Sequence, residues 1–167
     1  MLGKKLAASL NYNFIDLDHI IENRYAKENL KNFTCREIYT FHGEKKFREL
    51  EKLAIASLER IKNSVIALGG GSFEEKDNIP KLQAIGFIIY VKASFETLLA
   101  RFDRSNIPAY LNEKEIDTSF RMIYQKRLIA FETYSDACVD TSNSSSDECL
   151  QLIVKHINLS DSSTRHV

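Results

Sequence analysis

The sequence predicts an α/β protein in which helices cover both faces of a parallel sheet. Three short apolar runs, residues 14–16, 65–68 and 86–91, have the length and composition of buried strands. Long segments with apolar residues at helical spacing separate these runs, most clearly residues 44–61. Alternation of buried strands with helices is typical of a parallel sheet.

The two ends of the chain fit the same alternation. Leu2–Leu10 has apolar residues at helical spacing and leads directly into the strand that ends at Asp16. A helix followed by a strand is the second half of a βαβ unit, and its first strand is not among these residues. Near the other end, Ala137–Asp140 is predicted as a fourth strand and residues 146–157 as the last helix.

Three segments lack a clear period. Residues 23–34 are polar and basic, which predicts a helix end followed by an irregular excursion. Residues 104–115 contain one Pro and two Asn without periodicity, which predicts a mobile flap over about 104–116. Residues 160–167 are polar and are expected to fray, so residues 1–159 are predicted as one domain.

Composition excludes several classes of function. The 23 basic and 23 acidic residues cancel, so no overall field attracts nucleic acid or an anionic membrane. The three cysteines are far apart and have no CxxC spacing, which indicates neither a disulfide framework nor a zinc site. No apolar run approaches the roughly 20 residues of a spanning helix. We therefore expect a cytoplasmic protein that binds neither nucleic acid nor a membrane.

Two carboxylates stand at the end of the first strand. Asp16 and Asp18 flank Leu17 at a carboxyl end, which is where open parallel sheets bind ligands. The alternative is that Asp18 only caps a helix beginning at His19. From this pair alone, both interpretations stay open.

Three further features gain meaning only together. Arg48 lies in a charged helix, where Glu44 and Glu51 are spaced to hold its guanidinium. The glycines that directly follow the second strand permit positive φ angles and the close approach of a ligand; they are Gly69, Gly70 and Gly71. Arg127 lies in a later predicted helix and indicates nothing by itself.

Taken in order, these pieces form a series. The chain shows LGKKLA, FIDLD, GExxFRxxE at residues 43–51, VIALGGGS at 65–72, QKR at 125–127 and VDT at 139–141. The series resembles the shikimate kinases, a family of small P-loop kinases, from Leu2 to about Thr141. The resemblance implies a nucleoside-monophosphate-kinase-like fold with strand order 2-3-1-4-5, of which the central first strand is absent here.

The resemblance also implies an activity. It implies transfer of the γ-phosphate of ATP, with Mg²⁺, to the 3-hydroxyl of shikimate on the route to chorismate and the aromatic amino acids. Asp18 would then hold the shikimate hydroxyls and accept the proton, and Asp16 would lie near the magnesium. A cytoplasmic monomer is expected from the same resemblance.

The resemblance further assigns the substrate contacts. Arg48 and Arg127 match the two arginines that clamp the shikimate carboxylate. Gly69, Gly70 and Gly71 match the backbone that contacts the substrate. Planar guanidinium groups suit a carboxylate well, which agrees with this assignment.

The chain departs from the family pattern in several places, and three of them concern the phosphate loop, the lid and the substrate-binding segment. It has no GxxxxGK[ST] phosphate loop, which family members place immediately before the LGKKLA segment. Ile107 precedes Pro108 where members carry a lid arginine, so Arg101 and Arg104 are the candidates to replace it. An insertion between Glu22 and Ile38 lies within the substrate-binding segment, about residues 19–50.

Three interpretations therefore stay open. In the first, this chain is a late-started copy of a complete shikimate kinase, inactive as written and active when extended upstream. Loss of a central strand leaves unpaired backbone edges, which favours this view. In the second, it is a non-catalytic relative that binds a shikimate-like acid. In the third, it is a P-loop kinase for another hydroxylated carboxylate such as gluconate.

Overall fold

The computed structural model describes residues 2–104, 107–112 and 114–164, with side chains through Ser160. Strands and helices alternate along these residues. The strands are β1 Asn13–Asp16, β2 Ser64–Ala67, β3 Ile89–Lys92 and β4 Ala137–Asp140. The helices are α1 Leu2–Leu10, α2 Leu17–Asn29, α3 Cys35–Ala56, α4 Ile79–Ile85, α5 Phe95–Arg101, α6 Ile116–Tyr134 and α7 Ser146–Thr164.

The strands form two parallel pairs. β1 pairs with β2, and β3 pairs with β4. A cavity of about 810 Å³ lies between β2 and β3 and is lined by both strands and by apolar residues of α1 and α7. In the predicted order 2-3-1-4-5, which counts strands as in the family, position 1 lies at this place, between the strands that correspond to β2 and β3. The prediction of an α/β fold with parallel strands is confirmed.

The core consists of two buried clusters. In the first, α2 and α3 bury residues that include Leu17, Ile21 and Leu50. In the second, Leu6 of α1 packs with Val139 of β4 and Ile153 of α7. No helix in the described part of the chain is long and apolar enough to cross a membrane.

Residues 23–34 form a helix end followed by a short irregular stretch, as predicted, and most of the segment is helical. α2 continues to Asn29, and Leu30 ends it in a left-handed conformation with φ 55°. Tyr25 helps to fix this helix end, because its ring is buried and stacks on Phe33 at 5.4 Å between centroids. Together with Leu17 and Ile21, it forms the buried stripe of a helix whose other residues are mostly polar.

Helix α3 begins earlier than predicted. Thr34 and Glu37 form a capping box at its start, in which the hydroxyl of Thr34 accepts from the N–H of Glu37. Gly43, with φ 79° and ψ 173°, interrupts the helical backbone. The predicted helix over residues 44–61 is therefore the second half of α3, which ends at Ala56. At the chain's other end, α7 continues to Thr164, into the segment expected to fray.

Candidate functional site

A small cavity lies where β1 and β2 end. Its volume is about 210 Å³. Six of the residues singled out in the sequence line it together: Asp18, Arg48, Gly69, Gly70, Gly71 and Arg127. The other lining residues are Cys35, Arg36, Tyr39, Phe47, Glu51, Pro108, Ala109 and Tyr110.

The two aspartates at the end of β1 have different surroundings. Asp16 is the N-cap of α2, and its Oδ1 accepts from the backbone N–H of Asp18 at 3.2 Å. Asp18 lies in the first turn of α2 and lines the cavity. Burial raises the pKa of Asp18, and the nearby carboxylates of Asp16, Glu22 and Glu51 raise it further. Asp16 therefore takes the capping role that the sequence left open for Asp18.

Arg48 is held by acidic residues of its own helix. Its Nη1 donates to Oε2 of Glu51 at 2.9 Å and to the carbonyl of Gly71 at 3.2 Å. Its Nη2 lies 3.7 Å from Oε1 of Glu44. The predicted support of Arg48 by Glu44 and Glu51 is confirmed. Burial alone would lower the pKa of Arg48, but these carboxylates and Glu74 raise it, so the guanidinium stays charged.

The Arg48–Glu51 pair is removed from solvent. Side-chain exposure is 12% for Arg48 and 3% for Glu51. The second carboxylate oxygen of Glu51 accepts from the hydroxyl of buried Ser72 at 3.0 Å. The Nε of Arg48 is buried without a hydrogen-bond partner among the described residues. The pair is thus firmly fixed, and in the described part of the chain Nε of Arg48 keeps its N–H unpaired.

Arg127 enters the cavity from α6. Its Nε and Nη2 lie 3.0 and 2.9 Å from the same oxygen, Oε1 of Glu74. Its guanidinium carbon lies 4.7 Å from the ring centroid of Tyr110, within the range of a cation–π contact. Contacts from two different segments therefore fix the orientation of this side chain.

The glycines make room for the two arginines. A β-carbon added to Gly70 would lie 2.9 Å from Nη1 of Arg127, and one added to Gly71 would lie 2.7 Å from both terminal nitrogens of Arg48. Gly69 is less crowded, because its β-carbon would be 3.6 Å from Oδ1 of Asp18. None of the three has a positive φ. Gly70 and Gly71 therefore leave room for the two arginine side chains, and the approach of a ligand to these glycines stays a prediction.

The two candidate lid arginines lie elsewhere. Arg101 donates from Nη2 to the carbonyl of Thr141 at 2.9 Å, and Arg104 donates to Oδ1 of Asp117 at 2.8 Å. Neither lines the cavity. The predicted flap contributes Tyr110 and its two preceding residues to the cavity wall, while its residues 105, 106 and 113 lie outside the described residues.

Sequence reasoning missed several residues of this site. Glu74, which contacts Arg127, follows the glycines in the polar stretch SFEEKD, and no spacing rule distinguishes it there. Cys35 and Tyr39 come from the first half of α3, the part of that helix which was not predicted. A capping-box signature, Thr34 with Glu37, was present and would have found this part.

The cavity combines two positively charged guanidinium groups with a carboxylate that can accept a proton. Two guanidinium groups supply paired donors that match a carboxylate. Asp18 supplies a carboxylate of raised pKa, which suits a group that accepts a proton from a hydroxyl. The arrangement can bind a small hydroxylated carboxylic acid and orient one hydroxyl toward a base.

Comparisons with known proteins agree with this geometry. The family model described as shikimate kinase matches residues 1–158. A shikimate kinase of Caldanaerobacter subterraneus subsp. tengcongensis is 32% identical over 92% of this chain and 86% of its own length. That of Alkaliphilus oremlandii is 34% identical over 93% and 90%.

Solved structures give the same result. The shikimate kinase of Acinetobacter baumannii in complex with shikimate matches with a TM-score of 0.84 and 25% identity, covering 96% of this chain and 86% of that one. The enzyme of Aquifex aeolicus, at 23% identity, shares the fold with a TM-score of 0.77 over 94% and 88%. The chain belongs to the shikimate kinase family.

Proposed function

We propose that the cavity binds shikimate as the acceptor for the γ-phosphate of ATP. The convergence of Arg48 and Arg127, from α3 and α6, with Asp18 on one cavity of about 210 Å³ carries this proposal. These residues are separated by up to 109 positions in the sequence (127 − 18), so only the fold brings them together.

Each group has a role in acceptor binding. Arg48 and Arg127 hold the carboxylate by charge-assisted hydrogen bonds, for which Gly70 and Gly71 leave room. Asp18 accepts the hydrogen bond of the reacting hydroxyl and takes its proton as the phosphoryl group is transferred. Gly69 lines the cavity beside Asp18, where the substrate ring is placed.

Asp16 fits a limited role toward Mg²⁺. Proteins often hold Mg²⁺ with one or two carboxylates while phosphates and water supply the other ligands. Asp16 is partly exposed at the end of β1, and among the described residues no cluster of three or more His, Cys, Asp or Glu could hold a metal alone. Asp16 would hold the ion through water. Bound Mg²⁺ neutralises charge on the transferring phosphate.

The residues named so far form the acceptor half of the site, since GxxxxGK[ST] is not among the 167 residues. A lid role for Arg101 or Arg104 requires it to release Thr141 or Asp117. Both hydrogen bonds are exposed, so release costs little.

By analogy with the family, we also propose that the protein is a cytoplasmic monomer. Light scattering of the purified protein tests whether it is a monomer.

Calorimetric titration of the 167-residue chain with shikimate tests the acceptor site directly. We expect saturable binding of one shikimate per chain and weaker binding of gluconate. Absence of shikimate binding by a folded chain, judged by circular dichroism, contradicts the proposal. Formation of ADP with ATP and Mg²⁺, measured with and without shikimate, then tests transfer separately from binding.

A further inference from the structure

Glu74 joins the two arginines that come from different helices. Its Oε1 lies 2.9 Å from Nη2 and 3.0 Å from Nε of Arg127, and 3.8 Å from Nη2 of Arg48. Its Oε2 accepts from the ammonium of Lys126. One carboxylate oxygen is thus shared between guanidinium groups of α3 and α6.

The contacts of Glu74 lie outside the cavity. Glu74 is not among the residues that line it, whereas both arginines are. Glu74 occupies the Nε and Nη2 edge of Arg127, while Nη1 of Arg127 is the atom that faces Gly70. The carboxylate therefore holds Arg127 by one edge and leaves the other edge directed at the cavity.

The energetics favour a fixed arrangement. Side-chain exposure is 15% for Glu74 and 14% for Arg127, so solvent screens the pair only in part. Two guanidinium groups this close repel each other, and a shared anion offsets that repulsion. Burial alone would raise the pKa of Glu74, but Lys126 and Arg127 lower it overall, so the anion persists at neutral pH.

We propose that Glu74 is a positioning residue that sets the spacing and orientation of Arg48 and Arg127 before the substrate enters. This rests on the proposed function of the two arginines as a carboxylate clamp. A backbone hydrogen bond from the N–H of Glu74 to the carbonyl of Gly71, at 2.9 Å, ties the residue to the glycine segment. The same short segment thus carries both the space for the guanidinium groups and the anion that aligns them.

Glu74→Gln tests this role, because it keeps the shape and removes the charge. The matched control is Glu75→Gln, whose carboxylate lies 3.8 Å from Lys52. We expect Glu74→Gln to weaken shikimate binding by roughly tenfold or more, as the loss of charge-assisted hydrogen bonds predicts. We expect Glu75→Gln to bind like the wild type, and Glu74→Asp to recover part of the affinity. Wild-type affinity in Glu74→Gln overturns the proposal.

A second measurement does not depend on the substrate. Nitrogen-15 spectra of the free protein show the Nε–H signals of Arg48 and Arg127, which Arg-to-Lys variants assign. These signals report how firmly each guanidinium group is held in one orientation. The Arg127 signal should be slow to exchange in the wild type and in Glu75→Gln, and broadened in Glu74→Gln. If the Arg127 signal is the same in Glu74→Gln as in the wild type, the positioning role of Glu74 is overturned. If the wild type fails to bind shikimate, only the proposed function is contradicted, and the NMR result still tests Glu74.

Discussion

The α-carbon hydrogens of Gly70 face Nη1 of Arg127 so closely that an added β-carbon would lie 2.9 Å from this nitrogen. At Gly71 the corresponding distance to both terminal nitrogens of Arg48 is 2.7 Å. Such distances are far inside normal contact, so a methyl group at either position has to displace a guanidinium. The two glycines and the two arginines are therefore matched pairs.

Gly70→Ala and Gly71→Ala should each raise the Kd for shikimate, because each moves one arm of the proposed clamp. Loss of a hydrogen bond to a charged group costs about 1.5 to 3 kcal/mol, which corresponds to a roughly tenfold or greater increase in Kd. Gly86→Ala is the control, since its added β-carbon has no described atom within 4 Å other than those of its chain neighbours. Calorimetric titration of the three variants checks this. Wild-type affinity in both Gly70→Ala and Gly71→Ala would show that the arginines are not clamp residues.

Arg48→Lys and Arg127→Lys should each weaken shikimate binding by roughly tenfold or more while the KM for ATP stays near its wild-type value. Lysine keeps the charge but loses the planar pair of donors. Exposed Arg60, replaced by lysine, serves as the control. Steady-state kinetics of a catalytically competent form, or calorimetry of the chain itself, provides the measurement. Equal losses of shikimate and ATP affinity would point instead to a general change in structure.

Arg48→Ala should mainly destabilise the fold. It leaves the carboxylate of Glu51, only 3% exposed, without its cation. Breaking a buried ion pair in this way costs about 3 to 5 kcal/mol. Adding Glu51→Gln should recover part of the lost unfolding free energy, which urea titration of both variants measures. If the double variant were no more stable than Arg48→Ala, the buried charge of Glu51 would not be the cause.

Sequence patterns predicted the strands and the ion pairs that depend on residues close together in the chain. Ala137–Asp140 was predicted as a strand and is observed with these bounds, and Arg48 pairs with Glu51 three residues away as helical spacing requires. The contact between Arg127 and Glu74 joins residues 53 positions apart, and no spacing rule reaches across such a distance. The helix end and the irregular stretch predicted within residues 23–34 are both observed, but local spacing could not give the boundary at Asn29, because Tyr25 stacks on Phe33, a residue that follows the helix.

The cavity between β2 and β3 should be visible in hydrogen exchange. Among the residues that the structure describes, each of these strands has a strand partner on one side only, β1 for β2 and β4 for β3. Successive amides of a parallel strand point to opposite sides, so alternate amides of Ser64–Ala67 and Ile89–Lys92 lack a strand partner. We expect these to exchange faster than their neighbours in two-dimensional NMR spectra. Uniform protection along both strands would show that the edges facing the cavity are covered.

Asp18→Asn should separate catalysis from stability. Removing the proton acceptor should lower the turnover of shikimate phosphorylation by roughly 10² to 10⁴-fold. The same change should increase the unfolding free energy at neutral pH. The reason is that burial, with Asp16, Glu22 and Glu51 nearby, raises the pKa of Asp18, so its charged form is disfavoured in the folded state.

The gain in unfolding free energy of Asp18→Asn should depend on pH. Below the ordinary pKa of an aspartate, Asp18 is protonated in both states, and its full contribution to stability is present. This contribution is lost as the pH rises through the raised pKa of the folded state. The gain in Asp18→Asn should therefore be absent in acid and appear as the pH increases, which urea unfolding across a pH series measures.

Asp16→Asn keeps a capping side chain, removes one neighbouring charge, and should lower the pKa of Asp18 toward its ordinary value. A less stable Asp18→Asn at neutral pH, with near-normal turnover, would assign Asp18 to the helix start rather than to the chemistry.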